Sequence, residues 1–152
     1  MTKRGYRQLR KGRFSESNRI YFVTAVTQDR RSVFADYMLG RLLVHELARE
    51  HSRGDLHSLA FVVMPDHLHW LVQLNDGSDL SRCIQRTKSL SARALNAQLG
   101  WVGRFWQKGF HDHALRQEED LVSFARYLVA NPLRARLVVS LRDYPLWDAI
   151  WV

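Results

Sequence analysis

Two apolar runs, Leu56 to Met64 and His67 to Leu74, are separated only by Pro65 and Asp66. A parallel crossover needs a dozen residues or more, so the two runs should pair antiparallel as a hairpin in mid-chain. Upstream, Ile20 to Thr27 (IYFVTAVT) is rich in β-branched and aromatic residues and reads as a strand. Asp36 then suits the N-cap of a helix in which Leu39, Leu42, Leu43 and Leu47 recur at helical spacing, ending near His51 to Gly54. After the loop signal Asn75-Asp76-Gly77-Ser78, a second helix is predicted. Leu80, Ile84, Thr87, Ser91, Ala94 and Leu95 mark its inner face, and Arg82, Arg86 and Arg93 its outer one. The Gly-rich stretch Gly100 to Gly109 leads to a fourth strand over Phe110 to Arg116. Glu118, Glu119 and Asp120 then suit the positive end of a third helix that runs through Tyr127. The order β-α-β-β-α-β, followed by helices that carry the tyrosine, is the split pattern of a ferredoxin-like α+β sandwich.

A chain of 152 residues, 46% of them hydrophobic, can bury one core without staples. Its single cysteine, Cys83, forms no internal disulfide, and the apolar runs are too short and too charged to cross a bilayer. The opening segment lacks the apolar core of a signal peptide, so a reducing, cytoplasmic setting with no membrane partner is expected. The net charge of +8 is unevenly placed. Lys3, Arg4, Arg7, Arg10, Lys11 and Arg13 precede the first acid, Glu16, so the remainder carries only +2. Residues 1–18 are therefore read as a basic arm and residues 19–152 as one domain. Such an arm suits a polyanion, because each neutralised phosphate releases counterions; a solvated tail is the plainer alternative.

Asp66-His67-Leu68-His69-Trp70 carries the main chemical signal. Strand side chains alternate, so His67 and His69 project from one face and could share a metal ion. Two histidines satisfied by hydrogen bonds would show the same spacing. Tyr127 and Asn131 stand four apart, hence on one face of a common helix, where a nucleophile and an amide ligand could converge. Here too plainer readings exist: a tyrosine packed on the core, and an asparagine that caps a helix beginning at Pro132. His111-Asp112-His113 is a second His-x-His, which together with the first could build a four-histidine metal site for hydrolysis by water. Trp101, Phe105, Trp106 and Phe110 interleave with Arg104 and Lys108, a composition that suits either base stacking or core closure. Near the end, Tyr144, Trp147 and Trp151 repeat at helical spacing, as a packing stripe would.

Taken in order, Leu59 to Trp70 (LAFVVMPDHLHW), Phe105 to His113 (FWQKGFHDH) and Tyr127 to Ala135 (YLVANPLRA) strongly resemble the REP-associated tyrosine transposases. These are single-tyrosine relatives of small insertion-sequence transposases among the histidine-hydrophobe-histidine nucleases. The similarity spans the chain from about Arg7 to Trp151. It implies that His67, His69 and Asn131 hold Mg²⁺ or Mn²⁺ and that Tyr127 is the nucleophile, forming a 5′-phosphotyrosine. It also implies a hairpin or single-stranded DNA partner of palindromic sequence. Arg82, Arg86, Arg104, Lys108 and His113, with the basic arm, are the candidate DNA contacts, and a monomer is favoured. A non-catalytic nucleic-acid binder is the alternative of another class, but no RNP1 signature is found. One departure stands out: relatives commonly have Gly where this chain has Arg136. If that position is left-handed, arginine costs roughly 1 kcal/mol relative to glycine.

Overall fold

The structure, a computed structural model, describes residues 19–116 and 121–150. The basic arm, the acidic run Glu118 to Asp120 and Trp151 lie outside them. Strand β1 (Ile20–Val26) is followed by helix α1 (Tyr37–Ser52), the hairpin β2 (Leu56–Met64) and β3 (His67–Leu74), helix α2 (Leu80–Leu99) and strand β4 (His111–Ala114). Helix α3 (Leu121–Val129), one-turn helix α4 (Asn131–Arg134) and strand β5 (Trp147–Ala149) complete the order. The strands form one antiparallel sheet in the order β4-β1-β3-β2-β5. The first four are arranged as the ferredoxin-like pattern requires.

Local signals act where expected. The Asp36 carboxylate accepts the Met38 N–H at 3.0 Å to cap α1, and Asp79 does the same for Ser81 at 3.0 Å to cap α2. Each cap stabilises its helix by ~1 kcal/mol. Gly100, at φ 68°, ends α2 in the left-handed conformation that glycine adopts without a Cβ penalty.

Strand parity divides the sheet into two faces. Tyr21, Val23 and Ala25 on β1 share one face with Leu68, Trp70 and Val72 on β3, and all six are buried in the core beneath α1 and α2. Leu43 and Leu47 of α1 are fully buried there, whereas Leu39 and Leu42 are only partly so. The opposite face carries Phe22, Thr24 and Val26 beside Leu71, His69 and His67. Helix α3 packs on this second face through Phe124, whose ring meets that of Phe22 edge-on at 5.2 Å, and also contacts β2 and β5.

The C-terminal end departs from expectation. Tyr144 and Trp147 are not on a helix: Tyr144 follows a 3-10 turn and Trp147 opens β5. The edge of β2 still had unpaired backbone groups, and β5 pairs Ala60, Phe61 and Val62 with Ala149, Asp148 and Trp147. The Tyr144 hydroxyl donates to the Val63 carbonyl, and the Val63 N–H donates to that of Leu146 at 2.9 Å. Leu146 also presses on α1 at Gly40, where a Cβ would lie 2.3 Å from its Cδ1, so any larger residue would have to displace the Leu146 side chain. No helix among the described residues is long and apolar enough to cross a membrane.

Candidate active site

The β1–β3 register sets Thr24 opposite His69 and Val26 opposite His67. Both histidines thus stand on the half-covered face, and their rings pack edge-on with centroids 4.6 Å apart. Each is oriented through Nδ1. His67 Nδ1 lies 2.7 Å from Asp66 Oδ1, a pairing that calls for the Nδ1–H tautomer because a carboxylate only accepts. His69 Nδ1 lies 2.9 Å from the Thr24 hydroxyl, which can accept in the same way. In that tautomer each Nε2 carries the lone pair that an ion would use, and the second nitrogen of metal-ligating histidines is usually held like this.

The electrostatics point the same way. Burial, the neighbouring His67 and the positive charge of Arg134 push the His69 pKa from 6.5 down to about 4, so the ring is neutral, as a ligand must be. Burial works against the Asp66 carboxylate, but the hydrogen bond from His67 and the charges of His67 and Arg30 outweigh it, so its pKa falls below the ordinary value. Arg30 Nε donates to Asp66 Oδ2 at 3.1 Å. Arg30 and Asp29 both have positive φ, 51° and 58°, a conformation costly for non-glycine residues. Nothing in the spacing of the sequence marked Thr24 or Arg30 as partners of the histidine pair; Asp66, next to His67, could have been read.

His111 and His113 share this face, opposite Thr24 and Phe22, but β1 lies between them and His69. Two strand spacings put the backbones of His111 and His69 about 10 Å apart. No grouping of three or more His, Cys, Asp or Glu donors among the described residues includes these histidines, so the four-histidine site is not assembled. Among the described residues the single grouping of three His, Cys, Asp or Glu donors within 4.8 Å is Glu50, Asp55 and Cys83. A guanidinium fills it: Arg86 donates through Nε to Glu50 Oε1 at 3.0 Å and through a terminal nitrogen to Asp55 Oδ2 at 2.8 Å. Burial and the adjacent Glu50 push the Cys83 thiol up to about 12, so it stays protonated. Arg86, expected on the outer face of α2, is thus turned inward because a buried carboxylate needs a counter-ion. Arg82 and Arg93 are exposed, but on the helical layer across the sheet from the histidines.

Beside the histidines lies an open groove of about 450 Å³, between Thr24 and Val26 on one side and Gln107 to Asp112 on the other. Lys108 lines it; Arg104 and His113 are exposed nearby in sequence. The buried Lys88 secures its wall, donating from Nζ to the carbonyls of Gln107 at 2.8 Å and of Gly109. Burial and the charge of Arg104 lower its pKa to about 8. Phe105 and Trp106 are core residues, with Trp106 Nε1 donating to the Ser91 hydroxyl at 3.0 Å, whereas Phe110, though largely buried, lines the groove. Trp101 is half-buried beneath the Arg31 guanidinium, 4.2 Å from its ring.

Tyr127 is 65% exposed at the end of α3, between buried Ala125 and Leu128, which rules out the packed-tyrosine reading. It does not share one continuous helix with Asn131, since α3 ends at Val129 and α4 begins at Asn131. Nor does Asn131 cap: Ala130 holds the N-cap position, without a side-chain bond, and Asn131 Oδ1 instead accepts from Arg134. Tyr127 and Asn131 are joined through Arg134, whose Cζ lies 3.7 Å over the tyrosine ring. Helix α3 is linked to the histidines through rings, Phe124 on Phe22 and Phe22 on His69 at 5.1 Å.

The ferredoxin-like sheet carries the His-x-His pair on the face against which α3, the helix of the exposed Tyr127, packs through Phe124, an arrangement that fits a small transposase. The chain belongs to the IS200-like transposase family, whose profile it matches over residues 15–130. It is an enzyme, and its resemblance to the REP-associated tyrosine transposases holds across curated relatives. A Haemophilus influenzae protein assigned as one is 29% identical over 137 residues, covering 83% of this chain and 77% of that protein. The Escherichia coli K12 REP-associated tyrosine transposase is 26% identical over 126 residues, covering 82% of this chain and 73% of that one. Among solved structures, a REP-associated tyrosine transposase bound to a REP hairpin shares the fold with a TM-score of 0.70 at 24% identity, over 86% of this chain and 76% of that one. A Deinococcus radiodurans protein described as a transposase does so with a TM-score of 0.56 at 19% identity, over 74% and 88% of the two chains.

Proposed function

We propose that this transposase cleaves and rejoins single-stranded DNA at palindromic hairpins, with Tyr127 as nucleophile and His67 and His69 as metal ligands. The observation that carries this reading is the histidine pair, with both Nδ1 atoms held by Asp66 and Thr24 and both Nε2 atoms left to bind an ion. The REP hairpin named with the solved relative supports the substrate class.

Two neutral imidazoles and one amide oxygen make a mixed nitrogen and oxygen donor set, which suits Mn²⁺ and, less well, Mg²⁺. When bound, the ion supplies charge neutralisation at a non-bridging phosphate oxygen. The protein supplies the rest. His67 and His69 are orientated through Nδ1, the groove lined by Lys108 offers a cation beside them, and Tyr127 presents its hydroxyl to solvent. In the reaction, a bond forms between Tyr127 Oη and phosphorus as the bond from phosphorus to the 3′ oxygen breaks. The phenol loses its proton and the 3′ oxygen gains one. The 5′-phosphotyrosine keeps the phosphoester's energy for the reverse transfer, so no nucleotide cofactor is required.

The test is a denaturing gel of labelled hairpin DNA incubated with Mn²⁺. Wild type should yield a protein-linked fragment, and Tyr127→Phe should bind the hairpin but yield none. Adduct formation at the wild-type rate by Tyr127→Phe would refute the assignment.

A further inference from the structure

Arg134 is an exposed cation with no carboxylate within ion-pair distance among the described residues, yet it contacts both Tyr127 and Asn131. Its guanidinium lies over the Tyr127 ring and donates to Asn131 Oδ1. We propose that Arg134 is the residue that takes the scissile phosphate, and that without DNA it is parked on Tyr127 and Asn131. This rests on the reading of Tyr127 and the histidine pair as the cleavage site.

The contacts Arg134 now makes are the kind that phosphate displaces. A guanidinium over a phenol face at an exposed position is weakly held. A neutral amide oxygen engages only part of its five-donor fork, whereas a phosphate offers charge-assisted, bidentate bonds that suit that fork. The exchange has a consequence for the metal. While the cation occupies Asn131 Oδ1, one of that oxygen's two lone pairs is taken, and a divalent ion is repelled by the like charge beside it. A phosphate that draws the guanidinium away both releases the oxygen and cancels the repulsion. Arg134 therefore makes full metal capture dependent on the arrival of DNA.

The two roles move in opposite directions on substitution, which a merely structural arginine would not do. Mn²⁺ alone, titrated into the full chain and followed by its free-ion paramagnetic resonance signal, should bind about tenfold more tightly to Arg134→Ala than to wild type, in the range expected for changes around a ligand. Arg134→Ala with Asn131→Ala should lose that gain. With hairpin DNA and saturating Mn²⁺, Arg134→Ala should form the tyrosine adduct roughly 10²-fold more slowly, the usual loss for one charge-stabilising donor, and Arg134→Lys should recover part of the rate. Unchanged or weaker Mn²⁺ binding by Arg134→Ala, or an unchanged adduct rate, overturns the proposal. The Tyr127→Phe control separates the two readings. If it blocks the adduct while Arg134→Ala cleaves normally, only the role of Arg134 fails; if it does not, the cleavage site itself is misassigned.

Discussion

At the scale of single residues, the alternation of side chains along β3 was enough to place His67 and His69 on one face, and that reading holds. What alternation could not show is how they are held. Thr24 belongs to a strand more than forty residues away, and it reaches His69 because the register pairs the two directly. Asp66 was visible as a neighbour of His67, but its use as the Nδ1 partner depends on the turn between β2 and β3. We expect Asp66→Asn to weaken Mn²⁺ binding by about 10–100-fold while leaving the fold intact, because an amide can offer either an acceptor or a donor and no longer enforces the tautomer. Calorimetric titration of Mn²⁺ checks this, and an unchanged affinity would show that the carboxylate does not act through His67.

At the scale of elements, the strands and long helices were legible because their apolar periodicity and caps are local properties. The hairpin strands run over Leu56–Met64 and His67–Leu74, as the sequence reads, and Asp36 caps α1. The region after Tyr127 was not legible in the same way. Asn131 before Pro132 looks like a cap, but the chain turns at Ala130 and spends the asparagine oxygen on Arg134. Helix α4 closes with the Arg136 N–H on the Leu133 carbonyl and the Leu137 N–H on that of Pro132, and Arg136 has φ 58°. This is the paired-bond C-cap that favours glycine, so the departure noted in the sequence sits at a left-handed position. We expect Arg136→Gly to stabilise the protein by up to about 1 kcal/mol in urea denaturation, without altering cleavage, because the exchange removes a Cβ clash. A loss of stability would mean that the arginine side chain offsets its backbone cost through contacts of its own.

At the scale of the molecule, charge and function are distributed over different layers. The candidate site occupies the face bearing β1, β3 and α3, whereas Arg82 and Arg93 stand across the sheet and Arg86 is committed to Glu50 and Asp55. Most of the excess positive charge lies in the first 13 residues. We therefore expect deletion of residues 1–13 to weaken hairpin binding and to flatten its dependence on salt, since each lost phosphate contact lowers the logarithmic slope by about 0.7–0.9. Binding titrations at several salt concentrations check it, and an unchanged slope would take the arm out of the interface. The sequence by itself determined the ferredoxin-like order of elements, the shared face of His67 and His69, and the family, because these follow from short-range periodicity and motif spacing. Only the tertiary structure decided that His111 and His113 stand across β1 and form no donor group with them, that Phe105 and Trp106 belong to the core, and that Arg134 bridges Tyr127 and Asn131. Those outcomes depend on which strands become neighbours and where a helix bends, and neither is encoded in any local stretch of the chain.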